Sequence, residues 1–427
     1  LENKPELRQQ VFGADSKIEL HILSVFPEDD QYIVGRPESG EFVAVPEVGQ
    51  RIISLLQQGH SISETSSCLF EEYGQEVDIN EFISTFIELG FVKRIDGKLL
   101  SSDNEGGATL PWLKEQHTGW LFSRPSKTLL FALIAVAAFS IIRRPEYFPK
   151  YSDYFWSTSP TFVIVINTFM YFCTLILHEF AHLASARALN IPAKISLSTR
   201  LHNLVVQTDV SGLWSVPRNQ RYQVYFAGIF SDLAIMSTAI IVVIYVPIAP
   251  IASNFLRALA LICFLKIIGQ FHVYMRTDMY LVCLDVLRCY NMFDDSLKYV
   301  KYMLLKLSNS LGITKIEYGN PLLSVRPHEK GRIQIYSIIM VIGSIVALWI
   351  ALFYEFPITI NLIVRSFRGM IDGLGGKNFV LFADGAATFV IEASFKIMFV
   401  VTFIQRHPNW FAFDRILNKV KTISRPV

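Results

Sequence analysis

From Tyr154 to Leu177 the chain runs 24 residues without an Asp, Glu, Lys, Arg or His. Crossing a bilayer takes about 20 predominantly apolar residues, and in that water-free interior a helix satisfies every backbone group within one segment. This run alone argues against an ordinary soluble domain. Charged residues are 18% of the chain and hydrophobic ones 52%, against about 25% charged in soluble proteins, and the mean hydropathy is +0.36. These values exclude a disordered chain, a secreted disulfide scaffold and an ordinary cytosolic enzyme. Cys68, Cys173, Cys263, Cys283 and Cys289 form no CxxC pair, so neither a cysteine zinc site nor a redox motif is expected. The polar N-terminal stretch has no basic segment followed by an apolar one, and no cleavable signal peptide is expected.

Six stretches are apolar enough to cross a membrane: Thr128–Ile142 (extendable to Leu121), Tyr154–Leu177 with a helical continuation to about Leu189, Tyr222–Ile248, Ile251–Tyr274, Ile335–Phe353 and Ala386–Phe403. Lys and Arg gather in the pre-helix linker, the 190–221 connection, the 276–332 loop and the C-terminal tail. The positive-inside rule then places both termini in the cytosol. The outside loops would be 143–157, 249–252 and 355–385. The expected fold is mainly α: a polytopic membrane protein of about six transmembrane helices carrying an N-terminal α+β domain. Residues 1–100 form that domain, 101–126 a linker, and 127–427 the membrane-embedded part.

Near the inner end of the second span stands "TLILHEFAHLASARAL", in which His178, Glu179 and His182 make an H-E-x-x-H. Positions i and i+4 share one helix face, so both histidines can present a ring nitrogen to one Zn²⁺. Glu179 beside them can take a proton from the metal-bound water. Each ionisable group near a bilayer centre costs about 2.5–3.5 kcal/mol on insertion scales, which argues for function over packing. A catalytic zinc takes three protein ligands and leaves one position open. The candidate third ligand is Asp278 in "MRTDMYLV", after the fourth span.

This combination, with "FAGIFSDLA" between, resembles the site-2 protease family of intramembrane zinc metalloproteases. It is closest to the bacterial peptide zinc metalloprotease branch, and "TDVSGLWSVPRNQR" (208–221) is similar to that branch as well. The resemblance covers about residues 125–300. It implies a multi-pass protein of a bacterial cell membrane, with His178, His182 and Asp278 on zinc and Glu179 as the base. Ile229 replaces the family's proline and Asp232 its asparagine; His272, Val273 and Met279 replace the asparagine, proline and glycine around the third ligand.

Four further positions have two readings each. Asp232 lies roughly 15 Å into the third span, where it either pairs with Lys266 or contacts substrate. His272 is an interfacial or capping histidine, or an extra ligand. His202 and the Asp209 loop form a substrate-facing or membrane-dipping connection, or a plain one. Asp285, at i+7 from Asp278, supports the metal ligands or lies on a solvated helix surface.

Residues 1–100 hold 18 Asp/Glu against 8 Lys/Arg, a net of −10, so the remainder carries +12 to reach the total of +2. Strand-like "KIELHIL", "YIVG" and "FVAV" precede amphipathic helices at about Pro46–Gln57, Ser61–Tyr73 and Asp78–Leu89, and "FVKRI" closes the set. Ser61/Glu64 and Asp78/Glu81 have capping-box spacing, and Ile79, Phe82, Ile83, Phe86 and Leu89 form a helical stripe. The pattern is that of a winged helix. Its third helix has no Lys or Arg, so nucleic acid is not an expected partner. The pattern instead resembles PqqD-like domains, the recognition elements that hold the leader of a ribosomally made, modified peptide (a RiPP precursor). That resemblance implies a peptide bound at a sheet edge, and the acidity favours a basic one.

The function so implied is an intramembrane zinc metalloendopeptidase. It would cut a ribosomally made peptide captured by the head, with water activated by Glu179 on zinc as nucleophile. His178 lies about nine helical residues from Arg187, which suits a cytosolic water route. The alternative is a non-proteolytic membrane protein for peptide chaperoning, export or immunity. A membrane iron oxidase would need further H-x-x-x-H or H-x-x-H-H boxes, and the nine histidines supply none. Partners are the peptide substrate and the lipid bilayer; neither the oligomeric state nor the substrate's identity is legible.

Overall fold

A computed structural model of the chain describes residues 13–74, 76–100, 109–157, 160–200, 203–313, 316, 318–350, 352–353 and 356–406. His202 and the basic tail after 406 lie outside the described residues. By internal packing the chain divides into two compact units. One gathers Leu1–Ser123, His182–Ile195 and Thr208–Val224; the other gathers Arg124–Ala181, Ser196–Gln207 and Tyr225–Val427.

The head begins with β1 (Ile18–Leu20), β2 (Ser24–Glu28), β3 (Gln31–Arg36) and β4 (Glu41–Val45). It continues through α1 (Glu47–Gln57), α2 (Ile62–Tyr73) and α3 (Ile79–Glu88) to β5 (Val92–Ile95) and β6 (Lys98–Leu99). The caps act as their spacing predicts. Ser61 accepts from the Glu64 N–H while the Glu64 carboxylate accepts from the Ser61 N–H, and Asp78 accepts from the Glu81 N–H. Ile52, Ile53, Leu55 and Leu56 of α1 meet Leu69 of α2 and Ile79, Ile83 and Phe86 of α3 in one core. Each such side chain contributes about 1.5–3 kcal/mol when fully buried. Phe82 and Leu89 of the expected stripe pack at the edge of that core.

The strand order corrects the sequence reading. Of "KIELHIL" only Ile18–Leu20 is strand, β1, which pairs antiparallel with β5 in the sheet β1-β5-β6; the unexpected β2 after it opens a second antiparallel sheet, β2-β3-β4. Pro27 hides β2 from pattern reading, yet it sits on an outer strand, opposite Tyr32, where a missing N–H does little harm. A short helix α4 (Glu115–Thr118) follows.

After it come α5 (Arg124–Arg143), α6 (Pro160–Ala188), the paired strands β7 (Lys194–Arg200) and β8 (Asn203–Asp209), α7 (Arg218–Tyr225), α8 (Ala227–Tyr245) and α9 (Pro250–Gln270). The chain continues as α10 (Asp278–Val286), α11 (Met292–Ser310), α12 (Pro327–Ile350), α13 (Phe356–Gly375) and α14 (Phe379–Arg406). Six of these, α5, α6, α8, α9, α12 and α14, are long and apolar enough to cross a membrane. Three differences from the expected spans have local causes. The third begins at Ala227, because the polar stretch 218–225 forms α7 by itself. The fifth begins at Pro327, because the helix runs on through its polar first turns. Most of the expected 355–385 loop is helical, as α13. It packs on α14 at glycines: a Cβ at Gly373 would lie 2.5 Å from the Phe382 nitrogen, and one at Gly385 2.6 Å from the Ser366 carbonyl oxygen. Within α6, buried Asn167 accepts from the Trp156 indole N–H at 2.9 Å and donates to the Tyr154 carbonyl at 3.0 Å. The one amide of that apolar run is thereby satisfied on both sides.

Candidate metal centre

The helical spacing of α6 puts His178, Glu179 and His182 in its last three turns, and all three are buried. Asp278 opens α10. Arg276, with φ +56°, turns the chain there, and the Asp278 N–H donates to the Gln270 side-chain oxygen at 3.2 Å. His178, His182 and Asp278 form a group that could hold a metal ion, with one ligand atom from each lying within 4.8 Å of the others. It is the one such group among the described residues.

The partners of the histidines fix which nitrogen faces inward. His178 Nδ1 lies 2.8 Å from Asp232 Oδ2. A carboxylate only accepts, so Nδ1 carries the proton and Nε2 is the nitrogen turned toward Asp278, 3.0 Å from its Oδ2. His182 Nδ1 donates in the same way to the Val224 carbonyl at 2.8 Å, making Nε2 its candidate ligand atom. Histidine ligands of metals characteristically donate their second N–H to a carboxylate or backbone carbonyl.

Two tests on this geometry ask whether a divalent cation fits. A neutral imidazole nitrogen and a carboxylate oxygen 3.0 Å apart repel unless a proton or a cation stands between them. Ligand atoms about 2.0–2.1 Å from one zinc ion sit roughly 3.3 Å apart at the tetrahedral angle, which is close to the separation present. The second test is charge. Buried Glu179 and Asp232, with Asp278, bring three carboxylates, and Lys266 one ammonium. With the carboxylates ionised the cluster carries −2, and one divalent ion neutralises it. The set of two imidazoles and a carboxylate suits zinc.

Asp232 is fully buried and bridges Lys266 Nζ, at 2.7 Å from Oδ1, to His178, at 2.8 Å from Oδ2. Of the two readings of Asp232, the pair with Lys266 is present, and the carboxylate's other oxygen holds a candidate ligand. Asp285 is also buried and accepts from the Tyr225 hydroxyl at 3.0 Å, so it is not a solvated surface residue. His272 stays outside the metal group, exposed, its Nδ1 donating to the Gly269 carbonyl at 3.1 Å at the end of α9. Asp209 accepts from the N–H and hydroxyl of Ser211 in a local turn after β8. Sequence reasoning missed Gln270, whose side-chain nitrogen lies 3.4 Å from His178 Nε2, and the Val224 carbonyl. A backbone acceptor has no sequence signature.

Set against protein-family models, curated proteins and solved structures, the chain matches none. The geometry of the site carries the functional argument alone.

Proposed function

We propose that this protein is an intramembrane zinc metalloendopeptidase of the site-2 protease type, acting on a ribosomally made peptide held by its head. The observation that carries this reading is the convergence of half-buried Asp278 on buried His178 and His182 beside buried Glu179, the last three on a helix long and apolar enough to cross a membrane. Ionisable groups clustered in so apolar a helix mark a functional site by default.

A bound zinc ion would supply Lewis acidity, polarising a carbonyl and bringing the pKa of water down to about 7. The rest belongs to the chain. His178, His182 and Asp278 would hold the ion. Asp232 and the Val224 carbonyl keep the two imidazoles in the Nδ1–H tautomer. Glu179 accepts the proton of the attacking water and returns it to the leaving amine. The amide of Gln270, beside His178, can donate to a substrate carbonyl.

The head supports a peptide partner. Among the described residues, the outer strands β2 and β4 each leave one edge unpaired, and an extended peptide can add there through backbone hydrogen bonds. The net charge of −10 over residues 1–100 favours a basic peptide and disfavours nucleic acid. Capture by the head raises the peptide's effective concentration at the site. With the positive-inside distribution, both termini lie on the cytosolic side.

Glu179→Gln tests the reading, because it keeps shape and removes the base. Mass spectrometry of peptides from cells expressing either form should show truncated products with the wild type only, and cleavage reduced about 10²–10⁴-fold in the variant. Unchanged processing with Glu179→Gln would leave the non-proteolytic alternative of chaperoning, export or immunity.

A further inference from the structure

We infer that Glu28, at the tip of the head's β2–β3 hairpin, is a positioning residue for the metal centre, acting through Arg221 and α7 on His182. The inference rests on the metal-binding reading and adds that the head is part of the support of the site as well as a place to capture peptide.

The connection is short and every link is buried. Glu28 ends β2, and Asp29, with φ +56°, makes the turn into β3. The Glu28 carboxylate accepts from both terminal nitrogens of Arg221 and from Arg218 Nη2, the last at 2.7 Å. Arg221 is completely buried. Its Nε donates to the Leu213 and Val216 carbonyls at 3.1 and 3.0 Å, and its guanidinium lies 4.6 Å from the centre of the Trp214 ring. Three residues on, and thus close to the same face of α7, the Val224 carbonyl accepts from His182 Nδ1. The first turn of this two-turn helix is therefore gripped by the head, and its last turn by a candidate metal ligand.

The approach to α7 is equally close. A Cβ at Gly40, which has φ +71°, would fall 2.9 Å from Ser211 Cβ, and one at Gly212 2.7 Å from Ile191 Cγ2. The short 3₁₀ helix Ser211–Ser215 thus seats against the turn between β3 and β4 on one side and the residues after α6 on the other.

Mere adhesion does not account for a buried ion pair. Removing both charges from water costs several kcal/mol, and apolar side chains of similar size hold surfaces together as well or better. What the pair adds is direction. The guanidinium fork fixes the angle at which Arg221 leaves α7, hence the rotation of α7 about its axis, hence where the Val224 carbonyl sits against His182. His182 takes its ring orientation and tautomer from that carbonyl.

The test uses the full chain purified in detergent and titrated with Zn²⁺ against a chromophoric chelator, with the visible spectrum of the Co²⁺-loaded protein as a second readout. Glu28→Gln should lower zinc affinity about tenfold, the lower end of what partners of metal ligands contribute, and should shift the cobalt bands. Glu72→Gln, at an exposed pair elsewhere on the head, should change neither. Glu28→Met with Arg221→Met removes both buried charges at near-constant volume, leaves Arg218 with Asp29, and, where it folds, should bind zinc as weakly as Glu28→Gln. A folded Glu28→Gln or double-methionine protein with wild-type zinc affinity and cobalt spectrum would overturn the inference while leaving the metal reading intact. A wild-type protein that binds neither ion would overturn both.

Discussion

Arg51–Glu72 on the head and Lys266–Asp232 among the apolar helices are both cation–carboxylate pairs, in opposite surroundings. The side chains of the first are 34% and 39% exposed; those of the second are 8% and 0% exposed. An exposed pair is worth about 0–1 kcal/mol, because water and salt screen it. A buried pair costs several kcal/mol per ion in desolvation, and neither partner alone justifies it. The difference lies in the third member: Asp232 also holds His178, whereas Arg51 and Glu72 simply bridge α1 and α2. Buried Asp232 is thus tied to a candidate metal ligand, and Glu28–Arg221 is joined through α7 to the Val224 carbonyl that holds the other histidine.

Substitutions can break that comparison. Lys266→Met leaves Asp232 buried without its cation and should destabilise the protein by about 3–5 kcal/mol, read as a fall in thermal midpoint in detergent. Asp232→Asn with Lys266→Met should recover most of that stability and still bind zinc about 10–100-fold more weakly than wild type, since His178 has lost its carboxylate. If affinity recovers along with stability, Asp232 is a packing residue and the comparison fails. The same cycle on Arg51 and Glu72 should return a far weaker coupling, lost in high salt, and no change in zinc affinity.

The smallest expected effect sharpens the head's side. Glu64 is held below the ordinary carboxylate value of 4.5, first by the Ser61 backbone N–H and then by its side chain. A group whose folded pKa is lowered contributes stability above its unfolded pKa and loses it as pH falls through the folded value. Glu64→Gln should therefore lower the urea midpoint slightly at pH 7, and the difference should vanish in acid below pH 4.5. A difference independent of pH would remove the cap from the account.

How far the sequence carried follows from which signals are local. The three head helices were legible because Ser61, Glu64 and Asp78 announce their starts and the apolar stripes repeat at helical period. The H-E-x-x-H was legible because two ligands four apart need only one helix. β2 was not, since Pro27 breaks the pattern and only the outer position of the strand excuses it. α13 was hidden by Arg365, Arg368 and Asp372, which read as a polar loop while the packing of Gly373 and Gly385 against α14 depends on partners distant in the chain. The bond from Asp232 to His178 spans 54 residues and that from Val224 to His182 spans 42. Only the fold brings those atoms together.

The most direct test of a zinc peptidase is to purify wild type and Glu179→Gln side by side, measuring metal content by elemental analysis and peptide cleavage by mass spectrometry. We expect about one zinc per chain in both proteins, with cleavage products from the wild type alone. Iron or no metal in the wild type, or equal cleavage by the two, would contradict it.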